Sequence, residues 1–434
     1  MSYSATQLPG SDGVKAATIT GIVARTLGLV SNIIAIPIAL SVLGEVRFAA
    51  FIAIIGLSQV IALSGLGVSK EIAHRAAAYG HGDPHLGRNI QVGLVIGFVS
   101  STLLAAILSW IVLLWLMTEP ELLEHQEDIR ITVAFFAVYV VFVGTLQVFV
   151  DVQNGLLRMW IVNVWRAIGA FLTLLLVTFA LPTIGTTWAA IFSFTFGFAV
   201  SVALTAVTIP AAVHWRLDWL GIWKIAQLGR ELLGRGAAFI LIQGTSIALL
   251  NLPPILVAWQ VGASDSVDFG IHCRALLLLW SVTAIVSNPT WPAIRWLLES
   301  GAVERVRNRI VRSATLVFGA ASAAALLFAL VGDHVIALWV GRDISNYGPW
   351  RFWFPAAVVV VLGNQLMNNV LLGLGQPRLV AFINGVYSLL SLVGGTLLAH
   401  WFGPEYFFAA TVPLGLVALI LQFRPTWKIA YAKH

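Results

Sequence analysis

Apolar residues run along this chain in long blocks, not in the alternation of a half-buried strand or the narrow stripe of a soluble amphipathic helix. A helix of about 20 residues covers the roughly 30 Å of a bilayer core, so blocks of this length predict membrane-spanning helices. Twelve such spans are expected, at residues 18–43, 48–67, 89–117, 131–150, 161–181 and 188–210, then 237–259, 269–294, 313–340, 352–373, 379–401 and 407–423. The connections between them are short and polar. The longest inner one, 211–236, divides six spans from six. The expected organisation is an all-α polytopic membrane protein with an N-terminal lobe (1–210), a cytoplasmic linker (211–236) and a C-terminal lobe (237–434).

Composition agrees with the pattern. Of 434 residues, 59% are hydrophobic and 10% charged, and the mean hydropathy of +0.91 is far above that of a soluble globular chain. The polar start, MSYSATQLPGSDGVK, lacks the charged-then-apolar layout of a cleavable signal peptide. The single cysteine, Cys273, excludes an internal disulfide and a cysteine metal site. His74, His81 and His85 share an inner loop but no rigid spacing, so no metal is expected. No GxxxxGK[ST] loop is present, and no other cofactor motif stands out.

Charge orients the spans. With the N-terminus inside, 19 of the 25 Lys and Arg residues fall on the inner side and four (Arg47, Arg130, Arg342, Arg351) on the outer. This asymmetry predicts cytoplasmic N- and C-termini. The net charge of +6 therefore reflects orientation, with no nucleic-acid partner. The basic run VERVRNRIVR is expected to meet anionic headgroups of the inner leaflet.

The two halves carry a faint repeat. IPIALSVLGEV and LPPILVAWQVGA each place proline several residues before a loop glycine, Gly44 or Gly262. QNGLLRMWIVNVWRAIGAFL and LLGLGQPRLVAFINGVYSLL each run glycine, arginine, then asparagine, Asn163 or Asn384. Both members of each pair run the same way across the membrane, as in a parallel repeat whose halves rock about a central site. Pro37, Pro253 and Pro254 each remove a backbone hydrogen bond and are candidate hinges, with helix packing as the other reading.

The first two spans, ARTLGLVSNIIAIPIALSVLGEVRFAAFIAIIGLSQVIALSGLGVSKEIAHRAA, together with NGLLRMWIVNVWRAIG, resemble the polysaccharide (lipid-linked oligosaccharide, Wzx-like) flippases of the multidrug/oligosaccharidyl-lipid/polysaccharide exporter superfamily. The resemblance implies two six-helix lobes in a V around a central cavity, with a polyprenyl-diphosphate-linked oligosaccharide as cargo. It also implies cavity-facing arginines in the first and eighth helices, positions held here by Arg25 and Arg274. The lipid II branch commonly has two further C-terminal spans, which points this chain to a surface polysaccharide unit.

The residues themselves leave two readings for each candidate. A charge inside a span costs at least about 2.5–3.5 kcal/mol on insertion scales. Arg25 and Arg274 either snorkel to headgroups or bind the diphosphate through their planar forks. Arg47 extends the same cationic surface or lies in a solvated loop. Asn364 and Asn368, four apart in GNQLMNNVLLG, and Gln59, Gln243, Asn32 and Asn288 elsewhere, either line a sugar's path or join helices to each other. Asp151 is a candidate for ion coupling, a partner for an arginine, or a solvated boundary residue.

The function expected from all this is flipping of the lipid-linked oligosaccharide across the bacterial inner membrane by alternating access, driven by an electrochemical gradient or by removal of product. A polysaccharide polymerase and export proteins are candidate partners, and the lipid bilayer is the solvent. The alternatives are a multidrug cation antiporter of the same superfamily, which calls for a mid-span carboxylate, and a membrane polysaccharide polymerase or ligase, which calls for a large outer loop. The chain is not expected to be an enzyme.

Overall fold

The computed structural model describes residues 11–79, 85–156, 158–209, 221–287, 290–299, 301–341 and 348–431. Asn288, His81 and the linker residues 211–220 lie outside the described residues, as does the side chain of Gln59. Among the described residues the chain is helical, with no strand. The helices of the first half are α1 (Ser11–Leu57), α2 (Val68–Tyr79), α3 (Leu86–Thr118), α4 (Pro120–Leu123), α5 (Gln126–Gly155), α6 (Met159–Leu175), α7 (Leu181–Ile184) and α8 (Thr187–Val207). Those of the second half are α9 (Ile222–Leu250), α10 (Pro253–Val261), α11 (Val267–Ser287), α12 (Thr290–Glu299), α13 (Val303–Val340), α14 (Trp350–Gly373), α15 (Pro377–Phe402) and α16 (Phe407–Tyr431).

Ten helical stretches among the described residues are long and apolar enough to cross a membrane. About twelve spans are consistent with these stretches, and two places depart locally from the expected pattern. Gly44, within α1, has φ 72° and ψ 172°, which no helix contains and only glycine adopts without strain. The run Ser11–Leu57 is therefore two helices in succession, and two expected spans are counted as one. The seventh expected span is interrupted instead of kinked: α9 stops at Leu250 and α10 restarts at Pro253. Proline has no N–H to donate and its fixed φ suits a first helical turn, so Pro253 and Pro254 begin a helix. Pro37 lies inside a continuous stretch of α1.

The second expected span also continues past its predicted end at Gly67. After Leu57 the chain tightens into a 3₁₀ turn (Ser58–Leu63), passes Leu66 and Gly67 at positive φ, and resumes as α2. The break is satisfied by neighbours. Ser64 Oγ reaches the carbonyls of Ile61 (2.7 Å) and Gly144 (3.2 Å), and Ser100 Oγ bonds the carbonyl of Ser64. Gly144 of α5 leaves room for this; a Cβ there would press on Ser64 and Ser101.

The helices fall into two compact units, one comprising Met1–Leu43 and Leu57–Ile240, the other Gly44–Gly56 and Leu241–His434. In the first, α5 packs on α2, α3 and α8, and α6 packs on α8. The α6–α8 contact is backbone to backbone: a Cβ on Gly169 would collide with the Gly197 carbonyl, and the reverse. Toward the ends of these helices, Val68, Ile72, Leu86, Ile90, Val148, Val152, Ile209 and Leu232 form a buried apolar core. Arg75 of α2 bridges Glu231 of α9 (2.7 Å) and Glu71 (3.2 Å). Burial opposes its charge, but the two carboxylates outweigh it and hold the guanidinium above its ordinary pKa. In the second unit α14 packs against α13 and α16, and α15 against α16. Its core is aromatic: Phe269, Trp350, Phe354 and Phe408 pack together, and His272 stacks on Trp350 at 3.8 Å and meets Phe354 edge-on at 5.0 Å. Outward, both units expose large apolar side chains such as Trp110, Phe179, Leu330 and Phe382, as a surface facing lipid requires.

The repeat is visible in backbone geometry. Gly262 has φ 96° and ψ 161°, close to the angles of Gly44. At the end of α5, Leu156 N–H bonds the carbonyl of Val152 (2.9 Å) and Arg158 N–H that of Gln153 (2.9 Å). At the end of α14 the same two bonds recur from Leu374 to Val370 (3.0 Å) and from Gln376 to Leu371 (2.9 Å).

Candidate functional site

A group of charged side chains within or beside the spans gathers in the first unit. Asp151 lies one turn before the end of α5 and is 1% exposed. Lys70, at the start of α2, donates from Nζ to its Oδ1 at 2.7 Å. The break at 58–67 is what brings α2, and hence Lys70, alongside α5. Asp151 Oδ2 is buried and has no hydrogen-bond partner among the described residues.

Two arginines complete the group. α1 and α6 meet where Gly21 lies on Asn163; a Cβ on that glycine would sit 3.1 Å from the amide nitrogen. One turn further along α1 is Arg25, half-buried, and three residues further along α6 is Arg166, exposed. Arg166 feels both the attraction of Asp151 and the repulsion of Arg25. Lys70 and Arg166 thus stand by the carboxylate and Arg25 stands by Arg166, a chain of three cations and one anion with a net formal charge of +2. Lone guanidiniums at this depth are costly, and a carboxylate with an unpartnered oxygen is costly too. The arrangement can neutralise a bound anion and is poorly suited to holding a cation.

Of the other expected site residues, Arg47, Arg274, Asn364, Asn368, Pro253 and Pro254 belong to the second unit. Arg274 is half-buried in α11 and donates from Nη2 to the carbonyl of Ile52 at 3.0 Å, both in the second unit. One arm of its fork is therefore engaged with backbone. Arg47 is half-buried and has a bonding partner of its own. Asn364 is buried, and its Nδ2 bonds the carbonyls of Val360 (2.9 Å) and Gly415 (3.1 Å), tying α14 to α16. Asn368 Oδ1 accepts from Gln422 Nε2 (2.9 Å), which also approaches Asn384 Oδ1 at 3.3 Å. These amides act as joints between helices, which is the helix-joining side of the two readings. Asn32 is exposed and bonds its own helix at Gly28. Pro253 and Pro254 are buried, and Pro37 is half-buried.

Counting from the repeat's landmarks gives the second-half counterparts of the charged group. Gln243 stands as far before Gly262 as Arg25 before Gly44. Asn369 stands as far before Gly373 as Asp151 before Gly155, and Tyr387 as far after Asn384 as Arg166 after Asn163. All three are uncharged, so the group belongs to one half only.

Solved structures with this fold are transporters. A structure described as the outward-facing conformation of a multidrug resistance MATE family transporter of the MOP superfamily matches with a TM-score of 0.70 at 17% identity, covering 97% of this chain and 96% of that one. The inward-facing conformation of such a transporter matches with a TM-score of 0.67 at 17% identity over 95% and 98% of the two chains. A MOP superfamily transporter from Pyrococcus furiosus, described by the reverse polarity of its binding pocket and a different function suggested by it, matches with a TM-score of 0.61 at 17% identity over 97% and 96%. No family model and no curated protein sequence matches the chain. The chain therefore has the MATE-like, two-lobed, multi-span fold found in MOP superfamily transporters.

Proposed function

We propose that this protein flips a lipid-diphosphate-linked oligosaccharide across a bacterial inner membrane by alternating access, as a step in surface polysaccharide synthesis. The observation that carries the reading is the +2 group of Arg25, Arg166, Lys70 and Asp151 within or beside the spans of the first unit. A diphosphate ester bears one negative charge on each phosphorus, so its two charges match the group's excess. Arginine forks suit phosphate oxygens in a low-dielectric site. In the second unit Arg274, with the donors not engaged by Ile52, and Arg47 are further candidate phosphate contacts. Asn364 and Asn368 hold α14 to α16, and Pro37, Pro253 and Pro254 are the candidate hinges. Fold neighbours described in both outward- and inward-facing conformations support alternating access as the mode.

The multidrug reading rests on how those neighbours are described. A cation exporter wants an available carboxylate, whereas Asp151 is bound to Lys70 and outnumbered by cations. The deciding experiment expresses the chain in cells whose own flippase is deleted. Restored surface polysaccharide, with loss of the lipid-linked precursor that accumulates on the inner face, is the expected result. Drug resistance without restored polysaccharide would reverse the order of the two readings.

Orientation is tested separately. Reporter fusions at Gly221 and Gly301 are expected to read cytoplasmic and one at Glu124 external, following the 19-to-4 asymmetry. A cytoplasmic signal at Glu124 would break that orientation.

A further inference from the structure

Asp151 is the one member of the charged group that opposes an anionic cargo, and its geometry is unusual. The residue is 1% exposed, one oxygen takes the Lys70 ammonium at 2.7 Å, and the other is buried with no partner among the described residues. A buried carboxylate normally satisfies both oxygens, because an unpaired one forfeits its hydration with nothing in return. Arg166 lies in the field of this carboxylate, yet among the described residues no ion pair joins them. It lies in the repelling field of Arg25 as well. The carboxylate therefore holds one cation fully and a second one loosely. Arg25 is left uncompensated.

We infer that Asp151 is a resident stand-in for the cargo's phosphate: it holds Lys70 and attracts Arg166 in the empty protein, and a phosphate group bound by Arg25 and Arg166 takes those cations from it. Arg166 and Lys70 are thereby assigned to the anion site, and Asp151 sets its affinity by competing for the same donors. This inference rests on the cationic-site reading above, but it concerns phosphate chemistry alone and does not depend on which phosphate-bearing molecule is moved. A stand-in of this kind lowers affinity, which a carrier needs if it is to release what it binds. It also stabilises the empty site, since like charges packed together in low dielectric repel strongly.

The test uses the full chain in nanodiscs of phosphatidylcholine, with inorganic pyrophosphate as the probe and binding read by calorimetry. Asp151→Asn keeps the shape of the side chain and removes the competitor, so pyrophosphate is expected to bind at least tenfold tighter than to the wild type. Arg166→Ala is expected to bind at least tenfold weaker, and to cancel most of the gain when combined with Asp151→Asn. Affinity in Asp151→Asn equal to or below the wild-type value would overturn the inference, as would pyrophosphate binding that Arg166→Ala leaves unchanged. Discs containing phosphatidylglycerol separate the sources of phosphate. If lipid headgroups fill the site, pyrophosphate binding to Asp151→Asn weakens there, and the stand-in role holds with a lipid ligand.

A second measurement avoids mutating a buried residue. An apolar carbodiimide adds to a protonated carboxyl and leaves an N-acylurea that mass spectrometry locates. Its addition at Asp151 in the wild-type protein is expected to rise when pyrophosphate is present, because the displaced carboxyl is no longer held by Lys70 and becomes available to the reagent. Labelling that is unchanged or falls would contradict the exchange. Export stays a separate readout: a chain that shows the binding shift but restores no polysaccharide would sink the flippase reading and leave the exchange standing.

Discussion

Arg25→Ala is expected to stop polysaccharide export while the protein accumulates in the membrane at the wild-type level. The helix that carries Arg25 is held by the Gly21–Asn163 contact, which this substitution leaves intact. Removing one like charge from beside Arg166 also relieves repulsion, so the fold has no reason to suffer. What is lost is a charge-assisted contact to phosphate, worth about 1.5–3 kcal/mol for each hydrogen bond, or roughly 10- to 150-fold in binding. Arg25→Lys separates the two readings of this residue. A snorkelling side chain tolerates Lys without loss, whereas a diphosphate ligand keeps the charge but loses the planar fork, so partial activity is expected. Arg25 and Arg166, if they share one phosphate, should lose less together than the sum of their single losses. Normal export from a well-expressed Arg25→Ala protein would reduce Arg25 to a membrane-surface anchor.

The largest effect on folding is expected at Gly197. Its backbone lies against that of Gly169, and a Cβ on either would strike the other's carbonyl oxygen. In lipid no hydrophobic force draws helices together, so close backbone contact between small residues supplies much of the attraction. Leucine at 197 would force α6 and α8 apart along their length. Overpacking of a soluble core costs about 1–3 kcal/mol; a backbone-to-backbone seam with no side chain able to yield lies at or above that range. Gly197→Leu is expected to lose the monodisperse peak in fluorescence-detected chromatography, and Gly197→Ala to lower the Tm by several degrees. A wild-type Tm for the leucine variant would mean the seam opens freely. Because Gly169 is less than one turn from Arg166, any folded fraction should also bind pyrophosphate more weakly.

Much of this fold is legible in the residue pattern, for a physical reason. A bilayer demands long apolar helices, and twelve apolar blocks mark them without any knowledge of packing. What the pattern hides is where helices break. The stretch SKEIAHRAAAY reads as a polar loop, yet it forms α2, because Ser64, Ser100 and Gly144 absorb the break before it. The prolines at 253 and 254 signal a disturbance, but whether they kink a helix or start one depends on Asn251 and Leu252 leaving the helix first. The charged group is half-legible. Arg25 stands out as a charge inside an apolar run. Arg166 does not stand out in the same way, because a lone arginine near the start of the span at 161–181 resembles a boundary residue. Only the Gly21–Asn163 contact puts it beside Arg25. The spacing of Asn364 and Asn368 does predict a shared face, but the carbonyl of Gly415 and the amide of Gln422 that occupy them come from a helix about 50 residues further on.

The uncharged counterparts of the charged group, Gln243, Tyr387 and Asn369, have a consequence for how a voltage acts on the molecule. A field across the membrane pulls on these charges of the first half and not on those three counterparts in the second. Moving one elementary charge through a full 100 mV involves about 2.3 kcal/mol. With a doubly negative ligand in place the site is neutral and feels almost none of that work; with the ligand gone, its two excess charges feel it fully. The loaded stroke is then electrically silent and the empty return is the one a resting voltage drives or resists, so current would report the return of the carrier and not the passage of its cargo.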